Sequence, residues 1–580
     1  MIGPPVRVTL HRLLARWRFG RYGTRLADAL LRRAAQQPFF PVDRTATNAR
    51  MIEEAVDLYR RADALDPGGH DRGFARALTV AARASYEESP ESALALADDA
   101  VARYQAGAPS TADELAELAA AVCQRAVCLG QLGRNDESFS EAEAAVARYR
   151  ACPGGVPAAA RVEFANCLVY LAEWLSWAGR GDEAVTVGEE AVRHYQELSL
   201  VEQSRRVIGH GAAHATLAHL LRAVDRFEDA IEPAERGAEL FAMVTAFYPR
   251  QLPSRASVLL GLARSYGVAE RIQEGIAAAE KSAALYRKLA ASAPDTYDSD
   301  FTDALLVLAE LHRDLEAHSA RRAALAEMVE IQRRQASAGE LWARLNLVDT
   351  LPDLAVAAEA DHDPEAALAA LRELITVLRG LVREDLDHEL TLARAIRHEC
   401  LVLGRQARHN EEVAARAEAL EIYERLVEVR TDCHEQFAAA LREQAVACSE
   451  ADRHEEAVAF RDREFAIRER LVALGDFEQE KQIAATLRWR STDLAALGRF
   501  DEALADITAA ATIHRRISTA EPEYREQLAH TLQIAVRQYA SSGDPLGAAA
   551  ARDELRELAR EADEPAVHDL YAETCTVLPP

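Results

Sequence analysis

One spacing pattern constrains this chain more than any other feature. In Gly179-Arg-Gly-Asp-Glu-Ala184-Val-Thr-Val-Gly-Glu-Glu-Ala191-Val-Arg-His-Tyr195 a turn signal precedes a small residue. A second small residue follows seven positions on and an aromatic eleven positions on. The same frame recurs at Asn48/Ala55/Tyr59, Ala93/Ala100/Tyr104, Ser138/Ala145/Tyr149, Ala230/Gly237/Phe241 and Gly275/Ser282/Tyr286. It then passes through Ala320, Ala367, Glu412 (with Tyr423), Ala457, Ala503 and Gly547. These twelve anchors lie 44 to 47 residues apart and span nearly all of the 580 residues. A fixed period of that length marks stacked copies of one supersecondary unit rather than independent domains.

Each unit reads as two helices. About twelve residues before the anchor stands another small residue, usually after Leu or Ile, as in Leu171-Ala172, Leu217-Ala218, Leu262-Ala263 and Ile534-Ala535. Small residues at helical spacing on both helices let the pair approach closely, while Leu, Val and Tyr fill the seam. Short polar stops such as Leu132-Gly-Arg-Asn-Asp136 and Leu497-Gly-Arg-Phe-Asp501 divide the two helices of a unit. Pro/Gly breaks such as Asp66-Pro-Gly-Gly69, Cys152-Pro-Gly-Gly155, Ala293-Pro-Asp295 and Glu521-Pro-Glu523 divide the units. No segment alternates with period 2, so the pattern predicts an all-α fold.

Small-x6-small-x3-Tyr after a Leu-Gly-Arg-x-Asp-Glu-Ala turn resembles the tetratricopeptide repeat (TPR). The unit is longer than the usual 34 residues. It is similar to the extended kind of kinesin light chains and actinobacterial arrays, with Pro-x-x-Tyr starts at Pro294-Asp-Thr-Tyr297 and a similar start at Pro522-Glu-Tyr524. The aromatic is lost at Ile331, Leu378, Arg468 and His514, and repeats seven, eight and twelve fit loosely. The resemblance implies an α-solenoid superhelix of about twelve antiparallel helix pairs over residues 24–560, with a concave groove lined by the first helix of each pair. Residues 1–23 are then a basic amphipathic helix and 561–580 a tail.

Composition excludes several classes. The net charge is −26, from 94 acidic and 68 basic side chains, and such a surface repels nucleic acid and anionic membranes. No apolar run reaches the 18 or so residues a membrane-spanning helix needs. Three lysines against 65 arginines, with heavy alanine usage, point to a GC-rich bacterial source. The eight cysteines show no CxxC spacing and sit in helical Ala/Leu/Val patterns, as buried free thiols do. The start Met1-Ile-Gly-Pro-Pro lacks a signal-peptide core, so a cytoplasmic location is expected.

The chain holds no GxSxG, GxxxxGK[ST], HExxH or GxGxxG motif. No catalytic residue, metal or cofactor is assigned, and a non-enzymatic protein is expected. His210 and His214 are spaced i, i+4 with His219 nearby, but no third firm ligand follows from the spacing. Cys433-His434 and His398-x-Cys400 likewise find no partner at ligand spacing. The first 45 residues carry a net charge of +7 and the other 535 carry −33. Leu10, Leu13, Leu14 and Trp17 form a stripe, with Arg12, Arg16 and Arg18 off it. This helix could cap the solenoid's open end or dock on a partner, an anionic lipid surface or, least of all, nucleic acid.

The resemblance also places the groove, at about 18, 15, 14, 11, 8 and 7 residues before each anchor. Those positions hold Arg222, Arg264, Arg313, Arg394, Arg397, Arg405, Arg442 and Arg488, and the aromatics Trp177 and Trp489. They also hold the acids Glu173, Asp349, Asp353, Glu359, Glu443 and Glu450. Arg with Trp is a hot-spot composition that suits a carboxylate- or phosphate-bearing peptide. The expected function is therefore a scaffold that presents a concave groove to a protein or peptide, such as an acidic or carboxylate-bearing one. The alternative is a sensor whose superhelix changes shape with a peptide or metabolite.

Overall fold

The computed structural model describes all residues except 1–7, 10, 13, 16–18, 36–45, 199–205, 247, 338, 340, 384, 431–432, 562–564 and 578–580. Among the described residues there are 25 helices of the lengths below and no strand. The chain divides into two compact units, Met1–Met328 and Val329–Pro580.

The first unit contains α1 (Phe19–Ala35), α2 (Ala46–Asp63), α3 (Asp71–Ser85), α4 (Pro90–Ala106), α5 (Ala112–Gln131) and α6 (Asn135–Arg150). It continues through α7 (Arg161–Trp177), α8 (Gly181–Gln196), α9 (Val207–Ala223), α10 (Ile231–Thr245), α11 (Leu252–Val268), α12 (Ile272–Ser292) and α13 (Pro294–Asp314). The unit boundary falls inside α14 (His318–Ser337). The second unit holds α15 (Leu341–Ala360), α16 (Pro364–Val382), α17 (Glu389–Arg405), α18 (His409–Val429), α19 (His434–Glu450) and α20 (His454–Ala473). It ends with α21 (Gln479–Ala496), α22 (Phe500–Ala520), α23 (Arg525–Ser542), α24 (Pro545–Glu561) and α25 (Pro565–Val577). Odd and even helices pair, and each anchor lies at or beside the start of the even helix.

The crossing of each pair is set by the two small positions. Ala126 and Ser138, Ala172 and Ala184, Ala218 and Ala230, Ala355 and Ala367, Ala445 and Ala457, and Ser491 and Ala503 are all essentially inaccessible. Ser138 Oγ donates to the Ala126 carbonyl at 2.7 Å, so the even helix rests on the backbone of its partner. Where Glu412 replaces the small anchor, it is neutralised by the Arg416 guanidinium, and Gly404 leaves room for its carboxylate.

The aromatic locks one pair onto the next. Tyr59 stacks on Phe74 (6.0 Å), Tyr149 packs on Phe164 (5.0 Å), Tyr195 stacks on His210 (5.5 Å) and Tyr423 on Phe437 (6.1 Å). His210 thus occupies the place that phenylalanine takes in the three other stacks. Where the aromatic is missing, Ile331 and Leu378 fill the space as buried aliphatics. Arg468 fills it with a buried ion pair to Glu464 at 2.8 Å, and His514 with a hydrogen bond to Thr531 at 2.9 Å.

The turn inside each pair is a ten-fold repeated device. Gly133, Gly179, Asp225, Glu270, Glu316, His362, Ala407, Asp452, Gly498 and Gly543 all have positive φ and lie 45 or 46 residues apart. The amide after it reaches back five residues in each case, for example Arg134 to Leu129 and Ala317 to His312, at 2.8–3.0 Å. This is the Schellman closure that satisfies a helix's last carbonyls. In seven turns the next basic residue then pairs with an acid three positions on, from Arg134–Glu137 to Arg499–Glu502. That acid also opposes the positive end of the even helix.

Helices also pack on the first and last repeats. At the start, α1 buries Leu26, Leu30 and Leu31 alongside Ile52 and Val56 of α2. It runs across the boundary expected at residue 23. At the other end α25 lies within the segment read as a tail. Its Val567 and Leu570 join Leu528, Leu532 and Leu555 in one buried cluster.

The second unit carries charge inside. Arg461 is 1% exposed and donates through Nε to Asp493 Oδ2 at 2.7 Å. The other oxygen, Asp493 Oδ1, faces Ser449 Oγ at 2.7 Å and His454 Nδ1 at 2.9 Å. The knot ties α19, α20 and α21 together.

Two predictions follow from these packings. A non-glycine residue in the left-handed region costs roughly 1 kcal/mol, so Ala407→Gly and Glu270→Gly each raise stability by about 0.5–1 kcal/mol, and Gly498→Ala lowers it by about 1, by denaturant titration. Asp493→Ala strands the buried Arg461 charge and costs about 3–5 kcal/mol, whereas Asp493→Leu with Arg461→Met recovers most of the loss. An equal loss in the single and double variants would remove the charge explanation.

Candidate functional site

In the first unit the odd helices α3, α5, α7, α9 and α11 form one wall, and three adjoining cavities open along it. The central one holds about 390 Å³ and is bounded by residues from Arg83 and Gln124 to Asn166, Ile208 and Gln251. It shares Gln131, Tyr170 and Glu173 with a second of about 390 Å³, which reaches Trp177 and His219. It shares Arg83, Ala120 and Glu163 with a third of about 450 Å³ beside α3. The twelve positions expected in the groove before Ser138 and Ala184 all line the first two cavities, from Ala120 to Gln131 and from Asn166 to Trp177.

The wall mixes apolar and amide side chains. Val127, Val169, Ile208 and Phe241 supply apolar surface. Gln124, Gln131, Asn166 and Gln251 supply groups that both donate and accept. Asn166 is oriented by the Tyr195 hydroxyl, which donates to its Oδ1 at 2.6 Å. Arg83 Nε faces Gln124 Oε1 at 3.4 Å. Glu173 stands open to solvent yet is enclosed by the groove walls. That enclosure raises its pKa, and the Thr216 hydroxyl donating at 3.2 Å opposes the shift.

Of the residues expected in the groove, Trp177 lies on the cavity rim, 79% exposed. Arg222 is half-buried against Gly261, and burial, then the charge of Arg264, lowers its pKa to about 10. Arg264 faces Asp303 at 3.6 Å and Arg313 faces Asp314 at 3.5 Å. The second-unit arginines are engaged along the wall. Arg397 meets Glu443 at 3.1 Å, Arg405 pairs with Glu359, Arg442 donates to Gln482 at 3.1 Å and Arg488 to Gln527 at 3.0 Å. Arg394 is exposed. Positions about one repeat apart stand side by side, so an arginine in one repeat finds an acceptor in the adjacent one. The Trp489 ring lies between Arg488 (5.6 Å) and Arg461 (6.0 Å).

At the N-terminus Arg12 pairs with Glu54 of α2, an intramolecular use of one of the basic residues. Arg16, Trp17 and Arg18 lie outside the described residues. His210 and His214 pack ring to ring at 4.9 Å inside the first unit. Among the described residues no group of three His, Cys, Asp or Glu is placed to hold a metal ion. Among them, too, no helix is long and apolar enough to cross a membrane. Six cysteines are buried; Cys123, on the cavity wall, and Cys575 are partly accessible.

The residue that the groove spacing did not include is Trp174. It continues the Tyr170/Glu173/Trp177 stripe of α7, and the i, i+3, i+4, i+7 relation was the available signal.

Helix pairs with this turn, this small–small crossing and this aromatic stack make the chain an all-α helical-repeat protein that resembles tetratricopeptide arrays. No family model matches it, and no curated protein matches it in sequence. Among solved structures it is similar to BtubC (BKLC) from P. vanneervenii, at 17% identity and TM-score 0.34, over 43% of this chain and 93% of that one. It is similar to the apo form of RapI at 9% identity and TM-score 0.36, over 62% of this chain and 99% of that one. A third is the signal-transduction ATPase PH0952 from Pyrococcus horikoshii, with a tetratricopeptide repeat sensor. There the identity is 14% and the TM-score 0.37, over 66% of this chain and 53% of that one.

The buried histidines give a pH prediction. Burial lowers the pKa of His210 and His214 to about 4, assisted by nearby positive charge. An unfolded histidine takes its proton near 6.5, so between pH 6.5 and 4 the unfolded chain binds more protons and stability falls with pH. His210→Phe keeps the stack on Tyr195 and removes one such group. Its thermal midpoint therefore drops less than that of the unmodified chain across this window, measured by circular dichroism. Parallel curves would show that His210 is not held neutral.

Proposed function

We propose that this chain is a non-enzymatic binding protein that holds an extended peptide, or an extended segment of a partner protein, in the first-unit groove. The observation that supports this reading is the continuity of the three cavities along five odd helices. A ligand lying across them meets apolar side chains for burial and amide side chains for the polar backbone, which is what extended chains require.

The groove is formed by helix pairs whose rings and crossings are packed against one another within the chain. Little ordering cost is then left to the protein side on binding. The second-unit arginines support an acidic partner less well. Arg397, Arg405, Arg442 and Arg488 already have acceptors, and a carboxylate-bearing ligand would have to displace Glu443 and Glu359 first.

The test is selection of displayed random peptides on the full chain, followed by measurement of each selected peptide against Val169→Arg. Val169 lines the cavity and is only partly buried, so arginine there blocks the groove without entering the core. The expected outcome is a loss of affinity of at least about tenfold, the equivalent of about 1.4 kcal/mol. Peptides that bind both forms equally would place binding elsewhere and end this proposal.

A further inference from the structure

The cavity at the Trp177 end of the groove has a composition that selects one kind of occupant. Tyr170, Glu173, Trp174 and Trp177 stand at i, i+3, i+4 and i+7 of α7 and so share one helix face. The rings are held in place. Tyr170 and Trp174 meet edge-on at 6.2 Å, and Trp174 and Trp177 at 5.8 Å. The Tyr170 hydroxyl is pinned 3.0 Å from Ser138 Oγ and 3.2 Å from the Ala126 carbonyl. Gly130 of α5 makes this seating possible, because a Cβ there would fall 2.5 Å from Tyr170 Oη and 3.2 Å from Trp174.

Among the residues lining this cavity Glu173 carries the one formal charge, and no lysine or arginine is among them. His219, also on the wall, is kept toward its neutral form by burial and by the nearby Arg222 charge. Thr216 donates to Glu173, and among the described residues no cation forms an ion pair with the carboxylate. Aromatic faces attract cations, and a carboxylate without a partner adds a charge-assisted hydrogen bond. An anion meets repulsion at the same place. A neutral apolar group would cover Glu173 without satisfying it.

We infer that this cavity is a subsite for the cationic side chain of an arginine or lysine in the bound peptide. The inference rests on the groove reading given above and adds the chemistry of the ligand's anchor. The net charge of −26 on the chain favours the approach of such a ligand from a distance. Trp177, open to solvent on the rim, supplies the ring face that an arriving guanidinium or ammonium would cover.

The experiment uses the full chain with Glu173→Gln and Trp177→Ala. Glu173→Gln keeps the side chain's shape, and Trp177 is too exposed to carry the fold. Peptides whose binding depends on Val169 are sequenced and re-measured, and acetyl-arginine amide, acetyl-norleucine amide and tetramethylammonium are titrated by ligand-detected NMR. Enrichment of Arg or Lys, with affinity falling about tenfold or more in Glu173→Gln and falling also in Trp177→Ala, is the expected result, the scale of one charged contact. Groove-dependent peptides without a basic residue, or with full affinity for Glu173→Gln, overturn the subsite and leave the groove reading intact. If no peptide depends on Val169 but acetyl-arginine amide binds in a Glu173-dependent way, the groove reading falls and the cation site stands. Acetyl-norleucine amide binding as well as its arginine counterpart would end the cation assignment. Tetramethylammonium binding more tightly than acetyl-arginine amide would mean that the occupant is a small quaternary ammonium and not a peptide side chain.

Discussion

Everything in this fold depends on how closely two helices can approach at one crossing. Alanine, glycine or serine at the anchor and twelve residues before it brings backbone against side-chain-free surface, as at Ala126 and Ser138. That contact fixes where the aromatic eleven residues after the anchor emerges, and so which residue of the next odd helix it meets. Pair geometry is thereby transmitted to repeat geometry without any long-range contact, as expected for a quasi-one-dimensional array. The cavities exist because the odd helices, once spaced this way, present the same six positions to one side.

Much of this was legible in the residues. Period, helix pairs, crossing residues and the aromatic lock all follow from small-x6-small-x3-aromatic, because each has a steric reason to be where it is. The turn was legible only where glycine marks it. At Glu270, Glu316, His362 and Ala407 the same left-handed residue is present without the glycine that advertises it, because the Schellman hydrogen bonds and the helices on either side hold the backbone there. Helix α25 carries none of the repeat's spacing, because it packs as a single helix and not as half of a repeat.

The site was legible in part. Groove positions could be projected, and Glu173 and Trp177 were among them. What the chain of letters does not show is pairing across repeats. Arg405 and Glu359 are 46 positions apart and look like separate surface charges until the period brings them together. The i, i+4 spacing of His210 and His214, with no third ligand, left the role of His210 open. It is the ring on which Tyr195 stacks, a role that another repeat gives to Phe164.

The Arg461–Asp493–Ser449–His454 knot bears on how such an array can change over generations. Repeats built only from alanine crossings and aromatic stacks are close to interchangeable, and unequal recombination can add or remove one with little penalty. A repeat that delivers Asp493 into a neighbour holding Arg461 is different, because no other repeat described here supplies that pair. The knot acts as a key between two particular neighbours, so duplication or loss at that seam leaves a charge with no mate. The order of repeats around it is therefore fixed by a buried charge pair, where elsewhere shape and more exposed ion pairs hold it.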